Sequence, residues 1–528
     1  MNLVELLRAR ASDRTDQPAI IEHRNGSDHA LTFGDLWRQS GQAAAMLKHD
    51  GIDQGARVLF LAPMSANLYI WLIAVFRIGA AAMFVDPSAG RAHVARSLSR
   101  LAPAAFVGTW KAHLLRLAVA ELARVPSKYC IGGWVPGAAS CSNHRRFAPE
   151  EMLCAVAESD TALITFTSGS TGAPKIIARS HQFLLAQHRV LEKALDLQAG
   201  TVDLTTLPIF LLANLASGLT SVIPAADLRK PGAIDARPVL AQIGRLGIDS
   251  SAASPALAER LCDAAQAAHP PELPLRKLFV GGGPVFPGLL ERAQRLCRRG
   301  EVIAVYGSSE AEPIAHIAAS EIGAEDYLAM RQGAGLLAGP PVEEIDMQIL
   351  PDRWGSPIGP YTRNSFEQEC LHDGTIGEIV VCGGHVVGGY LDGSGDAETK
   401  FDVDRHRWHR TGDLGRLDDT GRLWLLGRCT AKINDARGTL YPFAVECAAR
   451  QARGVRNAAI CHIDAKRVLV IEMTGKPDSP GELERGLAWA ALDLILPLAS
   501  IPLDARHNAK IDYPALQKLV QSRLKQQF

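Results

Sequence analysis

TALITFTSGSTGAPK, residues 161–175, is the stretch whose reading decides the fold. Ala162-Leu163-Ile164-Thr165-Phe166 is a short apolar run of the kind that forms a buried strand. It passes into Thr167-Ser168-Gly169-Ser170-Thr171-Gly172, a loop of hydroxyls and glycines closed by Ala173, Pro174 and Lys175. Such a loop suits a polyphosphate. Gly169 and Gly172 admit positive φ and close backbone approach, and successive N–H groups form an anion nest. The hydroxyls add donors and Lys175 adds a positive charge. The P-loop pattern is excluded, because it needs Gly-Lys-Ser/Thr, whereas Lys175 follows Pro174 and precedes Ile176. A plain Gly/Ser surface turn is the competing reading; the strand before the loop and the lysine after it weigh against it.

On either side, strand and helix patterns alternate. Upstream, the pattern predicts a helix over 39–49, a strand over 58–61, a helix near 65–78 and a strand over 82–85. Residues 130–150, rich in Gly, Pro, Ser and Arg, read as a connecting loop. Downstream, 178–195 reads as a helix whose His181 and His188 are packing or surface residues, and 238–246 as a short helix with proline in its first turn. Strands follow near 249–253 and over 277–280, 301–305 and 377–381. Strands alternating with helices imply βαβ units, hence an α/β fold. The strand over 277–280 ends in Gly281, Gly282 and Gly283, where a flat ring can lie on bare backbone.

At 528 residues the chain exceeds the usual size of one core, so more than one domain is expected. Lys plus Arg equals Asp plus Glu, 56 each, so no global field draws nucleic acid or an anionic membrane, and an anion site must be local. The ten cysteines show no CxxC and no Cys/His set at ligand spacing, which argues against zinc. Reduced thiols and a start that reads as an amphipathic helix, not a targeting segment, point to the cytoplasm.

Further motifs follow in order: Tyr306-Gly307-Ser308-Ser309-Glu310, then Arg410-Thr411-Gly412-Asp413, then Gly427-Arg428, and near the C-terminus Arg506-His507-Asn508-Ala509-Lys510-Ile511-Asp512. With TSGSTGAPK, this series resembles the adenylate-forming enzymes: acyl-CoA synthetases, luciferases and the adenylation domains of peptide synthetases. The resemblance covers nearly the whole chain. It implies a large N-terminal domain, 1–428, of βαβ-type sheets flanked by helices, a hinge after Arg428, and a small mobile α+β domain, 429–528. By resemblance, the loop from Thr167 to Lys175 holds the triphosphate and Tyr306 stacks on adenine beside Gly282, Gly283 and Gly307. Ser308, Ser309 and Glu310 face the phosphates, with Glu310 helping to hold magnesium. Asp413 and Arg428 reach the ribose, and Lys510 bridges the attacking carboxylate and the α-phosphate. ATP and Mg²⁺ are therefore the expected cofactors.

Three features depart from an acyl-CoA synthetase. The hinge position falls at or near Thr430, the usual Ile-Lys-x-x-Gly becomes Ile433-Asn434-Asp435-Ala436-Arg437-Gly438, and Leu207-Pro208-Ile209-Phe210-Leu211-Leu212 lacks a histidine. They put CoA use in doubt and resemble the β-lactone synthetases of bacterial long-chain olefin biosynthesis. That branch adenylates a β-hydroxy acid, whose own hydroxyl displaces AMP. A fatty acyl-CoA or acyl-carrier-protein ligase is the alternative, and a nucleotide-binding module without catalysis is a third. Residues 204–226 carry no charge, which is length enough to span a bilayer. Pro208, Pro224, Asn214 and Gly218 instead favour buried core, partly lining a tunnel for an apolar acid. The expected partners are that small-molecule acid and enzymes of a biosynthetic pathway, with no nucleic acid and no transmembrane segment.

Overall fold

The computed structural model describes residues 2–168, 174–474, 481–504 and 510–527. Gly169, Ser170, Thr171, Gly172 and residues 505–509 lie outside the described residues. The chain divides into two compact units, Met1–Ala225 with Arg245–Ser251 and Gly389–Asp396, and Ala226–Gly244 with Ala252–Gly388 and Ala397–Phe528.

In the first unit, helix Ala66–Arg77 is apolar on every side and buried from Leu68 onward, as a helix without a polar face must be. Ser65 caps it by accepting from the Leu68 N–H at 3.2 Å. Arg77 at its end is also buried. Its guanidinium lies 3.7 Å from the centre of the Trp37 ring and donates to the Trp37 and Glu150 carbonyls. Burial pushes that guanidinium down to about 10. Beside this helix a seven-stranded sheet runs in the order Ala139–Ser140, Ser127–Ile131, Ala105–Thr109, Arg57–Leu61, Ala81–Phe84, Thr161–Ser168, Pro174–Ser180. Every pairing is parallel except the last. The expected loop over 130–150 thus contains an edge strand and a 3-10 helix, Cys141–Arg146. A two-residue strand is too short to leave a period in the sequence.

The strands on either side of residues 169–173 pair antiparallel, with Thr167 opposite Lys175. The helix expected from 178 begins only at His181, because Ser180 caps it by accepting from the Phe183 N–H at 3.1 Å. His181 is buried, accepts from the Leu3 N–H, and is pushed down to about 4 by burial; it is a packing residue. The uncharged stretch 204–226 breaks into the end of strand Val202–Thr205, helix Pro208–Ser217 and strand Thr220–Ile223. Among the described residues no helix is long and apolar enough to cross a membrane.

In the second unit, Lys277–Val280 pairs in parallel with Glu301–Tyr306, which pairs antiparallel with Ala315–Ala318. A separate antiparallel sheet orders Leu336–Gly339, Leu423–Arg428, His406–Leu417, Gly377–Gly383 and Ile345–Leu350, with Lys400–Val403 on His406–Leu417. Toward the C-terminus, Val455–Ile463, Lys466–Met473 and Leu494–Leu498 form a three-stranded sheet packed by helices Pro442–Arg450 and Tyr513–Gln527. The whole is α/β, with a smaller α+β part at its end.

Candidate active site

Strand Glu301–Tyr306 delivers Tyr306 to its end, and the chain then turns sharply. Ser308 ties the turn: its N–H donates to the Ala311 carbonyl at 2.7 Å, and its hydroxyl accepts from the Glu310 N–H at 3.2 Å. Ser308 therefore shapes the backbone, while Ser309 is exposed. The Glu310 carbonyl accepts from the Val387 N–H at 2.7 Å, and the buried Lys400 ammonium donates to the Val387 carbonyl. Glu310 is thus held from behind by a fixed backbone.

Tyr306 does not end free. Its hydroxyl donates to Asp413 Oδ2 at 2.8 Å, and burial together with that carboxylate pushes the phenol well above its ordinary range. Asp413 lies directly opposite Arg428 across the strands His406–Leu417 and Leu423–Arg428. Arg428 Nε is 3.2 Å from Asp413 Oδ1, and Arg428 Nη1 donates to the Thr411 carbonyl at 3.0 Å. The Thr-Gly-Asp segment is no turn between elements but part of a long strand, distorted where Gly412 takes φ +70°. A β-carbon on Gly412 would come within 2.9 Å of Trp354 Cη2. Gly412→Ala is expected to lower stability by about 1–3 kcal/mol, from positive φ and the clash together. Thermal unfolding checks this.

Below this pair sits a second one. Arg410 and Glu378 are both buried and meet through two parallel contacts, Nη2 to Oε2 at 2.6 Å and Nε to Oε1 at 3.0 Å. Arg410 Nη1 donates to the carbonyls of Ser356 and Glu398. Burial pushes the Glu378 carboxyl up, and Arg410 opposes it.

Lys510 joins this group. Its N–H donates to Asp504 Oδ1 at 2.9 Å, its carbonyl accepts from the Asp504 N–H at 2.8 Å, and Leu503 bridges to Ile511. Its ammonium is shifted downward, first by burial and then by the charge of Arg428, against the pull of Asp413, Asp504 and Glu310. The structure therefore brings Tyr306, Glu310, Asp413, Arg428 and Lys510 into one electrostatic neighbourhood, all in the second unit. Gly281, Gly282 and Gly283 follow the strand next to Tyr306, and Gly282 takes φ +80°. Thr430 lies in the 3-10 turn Cys429–Ala431, and Lys432 after it pairs with Asp352.

In the first unit, Thr167 and Ser168 end one strand of the hairpin and Lys175 lies on the other. The Lys175 ammonium sits 4.8 Å from the centre of the Tyr390 ring, and a β-carbon on Gly395 would meet it at 2.8 Å. The Leu391 N–H donates to the Ile176 carbonyl at 2.9 Å, so this segment is laced to the lysine's own strand.

A family profile described as AMP-binding enzyme matches residues 7–391. The chain belongs to this family. Over 541 aligned residues this AMP-binding enzyme is 31% identical to the olefin beta-lactone synthetase of Stenotrophomonas maltophilia, covering 97% of this chain and 96% of that protein. Over 558 residues it is 31% identical to the protein of the same name from Xanthomonas campestris pv. campestris, again covering 97% and 96%. Its fold resembles the crystal structure of the anthranilate CoA ligase AuaEII in complex with anthranoyl-AMP. The TM-score is 0.81 at 18% identity, covering 100% of this chain and 98% of that one. The AMP-binding enzyme is accordingly an AMP-forming ligase that uses ATP to activate a carboxylic acid through an adenylate.

Tyr390, Asp504 and the Arg410–Glu378 pair escaped the reading of the sequence. The pair left no clear signal: Glu378 stands at the start of the apolar run Ile379-Val380-Val381, and Arg410 lies in a strand that is polar in sequence. Tyr390 and Asp504 lie in irregular segments and leave none.

Proposed function

We propose that this enzyme adenylates a β-hydroxy acid with an apolar chain and closes it to a β-lactone. The carboxylate oxygen attacks the α-phosphorus of ATP and pyrophosphate leaves. The acid's own hydroxyl oxygen then attacks the acyl carbon, the bond from acyl carbon to phosphate oxygen breaks, and AMP departs. The hydroxyl proton passes to solvent or a nearby base. No thiol takes part, and attack within one molecule supplies a large effective concentration.

One observation carries this reading beyond the name of the relatives. Where the CoA-using pattern places its Ile-Lys-x-x-Gly loop, this chain folds a tight hairpin, Ile433–Asp435 against Gly438–Leu440. Asp435 is spent on Arg467, with contacts of 2.8 and 2.7 Å, and Arg467 is itself buried. That segment is locked by an internal ion pair instead of offering a lysine.

The residue roles are those that the resemblance to the adenylate-forming enzymes implies. Lys510 is assigned to the charge that moves between carboxylate, phosphorus and pyrophosphate. Asp413 and Arg428 are assigned to the ribose, and Tyr306, Gly282, Gly283 and Gly307 to adenine. Thr167, Ser168, Gly169, Ser170, Thr171, Gly172 and Lys175 are assigned to the triphosphate, as is Ser309, while Ser308 sets the turn. Among the described residues no group of three or more His, Cys, Asp or Glu could hold a metal alone. A single backed carboxylate, Glu310, fits magnesium held mainly by phosphate oxygens and water, where it would neutralise the triphosphate. The hinge is placed after Arg428, dividing 1–428 from 429–528.

Incubation with ATP, magnesium and racemic β-hydroxy fatty acids should yield, by mass spectrometry, a product one water lighter than the acid, with AMP and pyrophosphate, and no need for CoA. Product formation only with CoA or an acyl-carrier thiol overturns the reading in favour of a thioester-forming ligase.

A further inference from the structure

Leucine and tryptophan are rarely left in solvent together. In the first unit, helix Trp110–Leu114 runs into the 3-10 turn Leu115–Leu117, and its buried side rests on the sheet through His113, whose Nε2 contacts the Tyr129 carbonyl at 3.0 Å. Its other side carries Trp110, Leu114 and Leu117 at steps of four and three residues. These are 49%, 53% and 87% exposed. Strands Ala105–Thr109 and Ser127–Ile131 are parallel neighbours, so the segments following them emerge at the same end of the sheet. The second of these carries Trp134, which is 73% exposed. Arg116 fastens the two segments by donating to the Pro136 carbonyl from both terminal nitrogens at 3.2 Å. The result is a tip of two indoles and two leucines built on a fixed base.

Charge along this part of the chain is lopsided. Residues 91–137 contain seven Lys or Arg and one acidic residue, Glu121, in a chain whose total is balanced at 56 each. Arg91, Arg96, Lys111 and Arg124 are exposed, and helix Arg91–Arg100 packs beside helix Ala120–Ala123. The Lys111 ammonium lies 5.5 Å from the centre of the Trp110 ring, beside the apolar surface.

We propose that this surface docks the enzyme on an anionic phospholipid bilayer, with Trp110, Leu114, Leu117 and Trp134 entering the interface and the basic residues facing headgroup phosphates. Indole rings favour the headgroup level, apolar area supplies non-polar burial, and a basic surround adds attraction to anionic lipid. A protein partner would need a matching acidic, apolar hollow; a bilayer presents both properties at any orientation. The inference stands on the surface alone and does not depend on which acid the enzyme activates.

The full-length protein should co-sediment with vesicles of equal parts phosphatidylglycerol and phosphatidylcholine, and its tryptophan emission should shift to the blue. It should not bind phosphatidylcholine alone. Lys111→Glu with Arg124→Glu should weaken binding roughly fivefold or more per residue, and raised salt should do the same to the parent protein. Trp110→Ser with Trp134→Ser should abolish the emission shift while adenylation of a water-soluble acid stays unchanged, which also reports that the variant is folded. No sedimentation with anionic vesicles, or equal sedimentation of parent and variants, overturns the proposal. So does a dimer that these substitutions dissociate in the absence of lipid, which would assign the surface to a second copy of the chain.

Discussion

Lys510→Ala is expected to reduce acyl-adenylate formation by about 10²–10³-fold while ATP binding stays close to that of the parent protein. The size follows from what the ammonium does. Charge migrates from carboxylate to pyrophosphate as the phosphorus is transferred, and a positioned cation in a desolvated place stabilises that migration more than it stabilises bound ATP. The lysine's backbone is clasped to Asp504 by bonds in both directions, so truncating the side chain leaves the segment's path intact. Acid-dependent exchange of pyrophosphate into ATP measures the loss, and calorimetric titration with a non-hydrolysable ATP analogue measures binding. Exchange at the parental rate would remove Lys510 from the chemistry. The pH profile adds a check. The ammonium is the working form, and burial with Arg428 nearby shifts its titration downward. Its deprotonation should therefore end activity on the alkaline side at a lower pH than an ordinary lysine would allow. Arg428→Ala removes the neighbouring charge, so any residual activity should show that alkaline limb moved upward.

The motifs are legible in the sequence through their order, which resembles that of the adenylate-forming enzymes, although each short motif taken alone is weak. Glycines beside hydroxyls and a lysine suit phosphate, and an aromatic followed closely by a carboxylate suits a purine and a cation. What cannot be read is how they meet. Asp413 and Arg428 are opposite partners only because strands His406–Leu417 and Leu423–Arg428 pair in one register, bulged between Leu414 and Gly415. A pattern of period two does not specify which residue faces which. A Thr-Gly-Asp triplet taken alone suggests a turn. Glycine signals turns from sequence, whereas here it answers a clash with Trp354, which arrives from a distant segment. The hairpin Ile433–Leu440 reads as a lengthened loop because its lock, Arg467, lies on another strand. The start of helix His181–Ala194, by contrast, was available: Ser180 is a good cap, and Ile176-Ile177 ahead of it carries the strand onward.

Arg410→Ala should cost about 3–5 kcal/mol of stability, more than any surface change in this chain, because it strands the Glu378 carboxylate away from water. Both residues are buried, and the arginine also satisfies the carbonyls of Ser356 and Glu398. Removing it therefore leaves one charge and two acceptors without their donor. The effect is expected in unfolding by urea as a lower midpoint with little change in slope. It should reach the nucleotide as well. Arg410 stands three residues before Asp413 on the same strand, and Thr411 between them bonds the Ile379 carbonyl and the Asp413 N–H. Two outcomes separate a local anchor from mere bulk. Arg410→Met with Glu378→Leu removes both charges and keeps apolar volume, and should recover most of the lost stability. If the anchor also sets the aim of Asp413, ATP affinity in that double variant should remain below the parental value even after stability returns. Recovery of both together would limit the pair to holding the sheet, and failure to recover either would point to the carbonyls of Ser356 and Glu398 as the larger loss.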